Sequence, residues 1–481
     1  MTATEQTTGQ RPPSRTHTRP GALFAVLSVG LCSYSFLQSV SIPTLSVITE
    51  ELDTDLQRST WLLTAFLLSS SVATPVMGRL GDAFGKRRML VASLLLLLVG
   101  SLAAAAAPTI ELMIAARVLQ GIGGGTIPLT FAILRDELPS HRVAGALAMS
   151  SSLLAFGFAA GTVAAGPIAS GLGIRWLFLF PALVAGAAAL LIWLLVQESE
   201  GRTGARVPLG PALLLAGWLV SLLLAISRGP QWGWGSAETL GLLTCAGVLF
   251  ALWTTVEWRI EVPLIDLRLM GLRGVWSANL VALMTGMASF GALTFMPQMN
   301  QTPSANGYGF GVSATEAGHM MLPSLVATFL CGMVAARVMR RIGIRLTMMG
   351  GAILTCAGML LVVFLHDEKW QMYLANGVAG LGTGLTFACL ANAIIAAVPR
   401  EHTGVATGMN ANIRTIGGSI GVALATMIIT ANPSPSGYPA ESSYITGFAF
   451  LAGVAVLATL AAALVPTTRR VARRVAPVEP V

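Results

Sequence analysis

Charge is what this chain has least of. Asp, Glu, Lys and Arg make up only 10% of its 481 residues, against 54% apolar residues and a mean hydropathy of +0.74. A soluble globular domain carries roughly 25% charged residues, so a water-soluble fold is excluded. Cysteine is scarce as well. The five present exclude a disulfide scaffold. Cys32, Cys245, Cys331, Cys356 and Cys389 all fall within apolar runs, where thiols pack as small apolar groups, and none pairs with another in a metal-ligand spacing. No repeating glycine period is present, which excludes a collagen-like chain. No Gly-x-x-x-x-Gly-Lys-Ser/Thr loop occurs, which argues against an ATP-powered pump. No nucleophile–base constellation points to an enzyme.

Long apolar runs are what the chain does have. Fourteen of them approach or exceed the about 20 residues that cross a bilayer as a helix. Runs this long and continuous are not barrel strands. The expected fold class is therefore an all-α integral membrane protein with 14 transmembrane helices. The basic residues test that count. With the N-terminus in the cytoplasm, 23 of the 29 Lys and Arg fall on the cytoplasmic side. Arg58, Arg175, Arg228 and Lys369 fall outside, and Arg117 and Arg414 fall within spans. This asymmetry predicts cytoplasmic N- and C-termini. The net charge of +8 then reflects topology and anionic lipid, so no nucleic-acid partner is expected. The tail residues Arg469, Arg470, Arg473 and Arg474 read the same way. The polar start with Arg11, Arg15 and Arg19 precedes an apolar run too long for a signal peptide and lacking a cleavage site, so a retained first span is expected.

The spans repeat. Arg79, Gly85 and Arg87 recur as Arg337, Gly343 and Arg345, 258 residues later. Gly121 to Gly145, enclosing Pro139, recurs as Gly380 to Gly404, enclosing Pro399, at an offset of 259. Two matches at nearly one offset predict duplicated halves around a midplane cavity, the arrangement of alternating-access carriers. The expected organisation is an N-terminal arm over 1–20, a six-helix half over 21–196 and two inserted central helices with flanks over 197–274. A second six-helix half over 275–465 and a basic tail over 466–481 complete it.

Certain motifs resemble a known family. Gly78, Asp82, Gly85, Lys86, Arg87 and Arg88 resemble the major facilitator signature between the second and third spans. Arg117 with Gln120 and Gly121 is similar to the arginine motif of the fourth span. Gly161, Gly166, Pro167 and Gly171 resemble the glycine-proline motif associated with exporters, although the stretch reads Gly-Pro-Ile-Ala-Ser-Gly where the motif normally ends in two glycines. Fourteen spans place the resemblance with the drug:proton antiporter family of that size. The stretch from Gly404 to Val422, with Asn410, Arg414, Gly417, Gly418 and Gly421, and that from Glu257 to Leu267, are similar to the same family. The resemblance implies a two-half pseudo-symmetric bundle. It implies a proton-coupling role for Arg117, for which a structural ion pair or snorkelling is the alternative. Many relatives carry an acidic residue in the first span, and Tyr34 stands at that position here.

The residues also argue on their own terms. Asp82 is suited to accept from helix N-terminal amides and to pair with an arginine, as a latch that holds one state. Lys86, Arg87 and Arg88 are expected to face anionic lipid. A charge inside a span is expensive and normally meets a cavity or a partner, which singles out Arg117 and Arg414. The resemblance implies proton coupling for Arg117, and Arg414, which sits comparably in the second half, is a candidate by that analogy. His319, close to a span interior, is a third candidate because histidine as a residue type is suited to carrying a proton. The glycines of the fifth span allow close helix approach. Tyr34, Gln38 and Ser41 share one helix face and should turn toward a cavity, as should Asn279, Asn376 and Asn392. No acid stands at the middle of any span, which favours neutral or weakly charged amphipathic substrates.

The expected function is secondary efflux of small hydrophobic or amphipathic compounds, such as an antibiotic, in exchange for protons. An importer or symporter of a small metabolite is the alternative. The carrier would work as a monomer in a bacterial plasma membrane, with the proton gradient as its energy source and no cofactor or metal. Arg outnumbers Lys 27 to 2, which fits a high-GC bacterial genome.

Overall fold

A chain in hydrocarbon can satisfy its backbone only within itself, so each apolar run folds as a helix. The computed structural model describes residues 20–54, 56–198, 209–260, 263–265, 267–398, 403–431 and 438–466. The N-terminal arm up to residue 19 and the basic tail from 467 lie outside the described residues, as do residues 199–208. The long helices are α1 (Pro20–Ser39), α2 (Leu56–Phe84), α3 (Lys86–Ala106), α4 (Ile110–Glu137), α5 (Ser140–Leu172), α6 (Ile174–Leu195) and α7 (Leu209–Trp232). They continue with α8 (Ala237–Arg259), α9 (Arg273–Gln301), α10 (Ala314–Ile342), α11 (Ile344–Phe364), α12 (Lys369–Ala397), α13 (Thr403–Ile429) and α14 (Glu441–Ala463). Among the described residues, 13 are long and apolar enough to cross a membrane. In the remaining long helix, α7, the apolar stretch among the described residues is Gly210–Ile226.

Two interruptions shape the first half. The first helix stops at Ser39, before Pro43, which has no N–H to continue it. A short helix, Leu45–Glu51, follows the turn. In the fourth span the α-helix gives way to a 3-10 turn over Gly123–Gly125. A side chain there would not fit. A Cβ on Gly125 would lie 2.7 Å from Met77 Cγ, and one on Gly123 would lie 3.1 Å from Leu97 Cδ1.

The repeat is visible in the packing. Gly85 (φ +111°) turns α2 into α3, and Gly343 (φ +86°) turns α10 into α11, both in a region that favours glycine. A Cβ on Gly100 would lie 2.8 Å from the Gln120 amide, and one on Gly358 would lie 2.7 Å from the Ala379 amide. Gly157 and Gly161 of α5 press on Cys32 and Phe36 of α1, while Gly417 and Gly421 of α13 press on Leu283 and Met287 of α9. The glycines recur 258 to 260 residues apart, and the residues of α1 and α9 that they press on recur 251 apart.

One buried cluster runs through α1–α6, including Tyr34, Phe66 and Phe178. Others lie in the second half, around Phe295 and Phe448 and around Met348 and Ile394. A further cluster joins Leu215, Leu219, Trp253, Leu264, Ile265 and Ile416, with Leu68, Val72 and Val76 packed against it. The two inserted helices therefore sit on the seam between α2 and α13. Leu183, Leu194, Leu213 and Phe364 are exposed, as lipid-facing residues should be.

Candidate functional site

A cavity of about 110 Å³ lies between the halves. Its wall includes Ser35 and Gln38 of α1, Phe158 of α5, Phe290 and Met296 of α9, Asn376 and Phe387 of α12, and Arg414 of α13. A larger chamber of about 400 Å³ shares Gln38 and Phe290 with it and is also lined by Trp61, Leu223 and Thr426. Of the six cavity candidates in the sequence, Gln38 and Asn376 line the central space. Tyr34 turns toward α2, where its hydroxyl meets Ser70 Oγ at 2.6 Å and its ring stacks on Phe66. Ser41 is buried. Asn279 accepts from Asn410 Nδ2 at 2.9 Å. Asn392 donates to Ala388 O of its own helix at 2.8 Å. None of these four lines the central cavity.

Arg117 is fully buried and fully engaged on one edge. Nε donates to Leu62 O at 3.0 Å, and Nη1 donates to Leu37 O and to Gln120 Oε1, both at 2.8 Å. Gln120 Nε2 donates on to Ser101 Oγ, and the Phe66 ring lies 4.5 Å below the guanidinium. Leu37 stands two residues before the end of α1, so Arg117 fastens the carbonyl that the helix break exposes. Arg414 differs. It is half-buried, lines the cavity and lies 4.4 Å over the Phe387 ring. His319 is exposed on the first turns of α10.

At one end of the bundle the signature loop makes one departure from the expectations. The helix N-terminus directly after the motif is capped by Glu198. The Glu198 carboxylate accepts from the amides of Arg87 (3.1 Å) and Arg88 (3.3 Å). The departure is that the basic residues are engaged within the protein instead of being left to lipid. Lys86 pairs with Asp136 at 2.5 Å, and Arg87 and Arg88 approach Glu198 at 3.8 and 3.6 Å. The reason is local: α6 and α4 end beside this loop and bring acids to it. Asp82 lines a pocket with Gly78, Arg79, Lys86, Arg135, Pro128 and Gly408, so it faces the start of α13. Arg79 donates to the carbonyls of Pro263 and Leu264, while the buried Glu257 accepts from the amides of Leu264 and Ile265, each at 3.0 Å. The segment after α8 is thus clamped between an inserted helix and the signature loop.

The exporter motif divides by contact. A Cβ on Gly161 would lie 2.5 Å from Phe36 O, and one on Gly166 would lie 2.6 Å from Thr315 Cα. Gly161 therefore serves the α1–α5 contact within a half, and Gly166 the α5–α10 contact between halves. Pro167 and Gly171 are exposed, and nothing lies within 4 Å of a Cβ on Gly171.

A family model described as Major Facilitator Superfamily matches residues 27–297 and 278–480. The chain belongs to this superfamily. It is 27% identical over 380 residues to the multidrug transporter protein MdtP of Bacillus subtilis (strain 168), covering 78% of this chain and 69% of that protein. It is 26% identical over 423 residues to the tetracenomycin C resistance and export protein of Streptomyces glaucescens, covering 86% and 76%. The fold is similar to that of the xylose transporter XylE from E. coli in a partially occluded inward-open conformation. The TM-score is 0.64 at 14% identity, over 94% of this chain and 98% of that one. As a superfamily member the protein is a multi-pass membrane transporter of small molecules, related to multidrug and antibiotic resistance exporters.

Sequence reasoning passed over Glu198, Asp136 and Phe387, and it did not foresee a buried role for Glu257. Only Glu257 carried a signal, an acid amid apolar residues near the end of a span. The others are ordinary until the fold brings α6, α4 and α12 to their partners.

Proposed function

We propose that this protein is a secondary exporter of small amphipathic compounds, driven by proton exchange across the plasma membrane, with both termini cytoplasmic. The central cavity carries the reading. It is walled by both halves, mostly by apolar and aromatic side chains, and no nucleotide-binding motif is present to supply energy. Relatives named for multidrug resistance and antibiotic export support the outward direction. The distribution of basic residues supports the orientation.

In this scheme rocking of the halves alternately opens the two ends. Asp82 and its cationic neighbours stabilise one of the two states at the α2–α13 seam. Glycine contacts at Gly161 and Gly166 keep α5 tight against α1 and α10 while the halves move. We assign proton coupling to the buried polar cluster of Arg117, Gln120, Tyr34 and Ser70. Everted vesicles test the proposal. Acidifying the lumen should drive accumulation, beyond the level in vesicles lacking the protein, of an amphipathic dye that carries no basic group, and collapse of the gradient by nigericin should abolish it. Accumulation indifferent to the gradient would overturn proton exchange.

A further inference from the structure

The central cavity holds a cation that nothing among the described residues neutralises. Arg414 reaches the cavity with its guanidinium over Phe387, and neither a hydrogen bond nor a carboxylate accompanies that ring contact. Among the described residues no Asp or Glu lines the space. Arg117, in the same membrane, instead makes three hydrogen bonds to buried acceptors.

Most of the other polar wall groups have already spent a donor. The hydroxyls of Ser35, Thr328, Thr383 and Thr415 donate to the carbonyls of Leu154, Gly380, Ala379 and Ala411. Asn376 spends one amide hydrogen on Met372 O. Gln38 keeps its amide donors, and among the described lining residues Arg414 alone offers charged ones. A ring below the guanidinium attracts the charge but leaves the planar edge and its N–H groups open. A carboxylate takes two such N–H groups side by side and supplies the missing counter-charge. Phe158, Phe290, Leu293 and Met296 surround the rest of the space with apolar surface.

We infer that the cavity binds an amphipathic organic monoanion, an apolar ring-sized body whose acidic group is held by Arg414. The inference deepens the efflux reading, because it names the substrate class of the same cavity. It narrows the expectation of neutral or weakly charged substrates to those carrying one negative charge.

Three probes with one ring body separate charge from hydrophobicity: 2-naphthoate, 2-naphthalenemethanol and 2-naphthylmethylammonium. Their affinities are read by thermal stabilisation of the purified full-length protein in detergent, where no gradient exists. Wild-type protein should bind the naphthoate about tenfold or more tightly than the ammonium, with the alcohol between them. Arg414→Gln should lower naphthoate affinity to that of the alcohol, and Arg414→Lys should retain part of the preference. Equal binding of all three, no binding of any, or a preference for the ammonium would overturn the inference. An unchanged order in Arg414→Gln would do the same. If Arg414→Gln yields no monodisperse protein, the wild-type order and Arg414→Lys decide. Loss of the order with proton-driven efflux intact removes only the substrate class. Intact order without efflux removes only the transport reading.

Discussion

Arg117 of α4 and Arg414 of α13 present the same group to the same membrane. Each lies against a phenylalanine ring, Phe66 at 4.5 Å and Phe387 at 4.4 Å. Around Arg117, the carbonyls of Leu37 and Leu62 and the amide of Gln120 take up the N–H groups, and the residue is sealed among α1, α2 and α4. Around Arg414 there is a cavity. The internal repeat does not pair them. At offsets of 259 and 260, Arg117 corresponds to Asn376 and Arg414 to Leu154. Each half has thus placed its arginine independently, one to hold a broken helix and one to face the substrate space. Position within a span marks a charge as important, and the partners decide what it is for.

Substitutions can break this comparison, and the largest effect belongs to Arg117→Ala. It strips the donor from two buried carbonyls and an amide oxygen, which should cost about 3 kcal/mol or more of stability and abolish transport. Thermal unfolding in detergent and vesicle transport read the two losses. Asp82→Asn should reduce resistance of an efflux-deficient host to background while membrane levels of the protein, followed by immunoblot, stay normal. A parallel fall in abundance would make Asp82 a stability residue like Arg117. Arg414→Gln should cut transport of an anionic amphipath about tenfold, with an unfolding midpoint equal to or above wild type, because it removes an unneutralised charge. The lysine variants sharpen the contrast. An ammonium cannot mimic the planar fork of a guanidinium, so Arg117→Lys should stay destabilised, whereas Arg414→Lys should keep part of the transport. Glu198→Gln should show the smallest change, about 1 kcal/mol from a weakened helix cap, with transport retained.

Much of the fold could be read from the chain, because a run of about 20 apolar residues has one stable conformation in lipid. The seventh helix takes its place by packing Leu215 and Leu219 on the seam beside Ile416. The breaks at Ser39 and at Gly123–Gly125 were harder to anticipate, since proline and glycine are common within spanning helices. The site was legible residue by residue but not in its pairings. The spacing of Tyr34, Gln38 and Ser41 defines one helix face, yet that face borders both a neighbouring helix and the cavity, so Gln38 reaches the space while Tyr34 meets Ser70. Glu198 lies 111 residues from Arg87, and no local pattern announces such a contact.

The two membrane arginines do different work, and their thermal unfolding separates the two roles. Unfolding midpoints of Arg117→Ala and Arg414→Gln, purified and heated side by side with wild type, should move apart. The first should fall well below wild type, and the second should hold level or rise. A comparable fall in both would contradict the account, because it would mean that Arg414 is bound into the structure as Arg117 is.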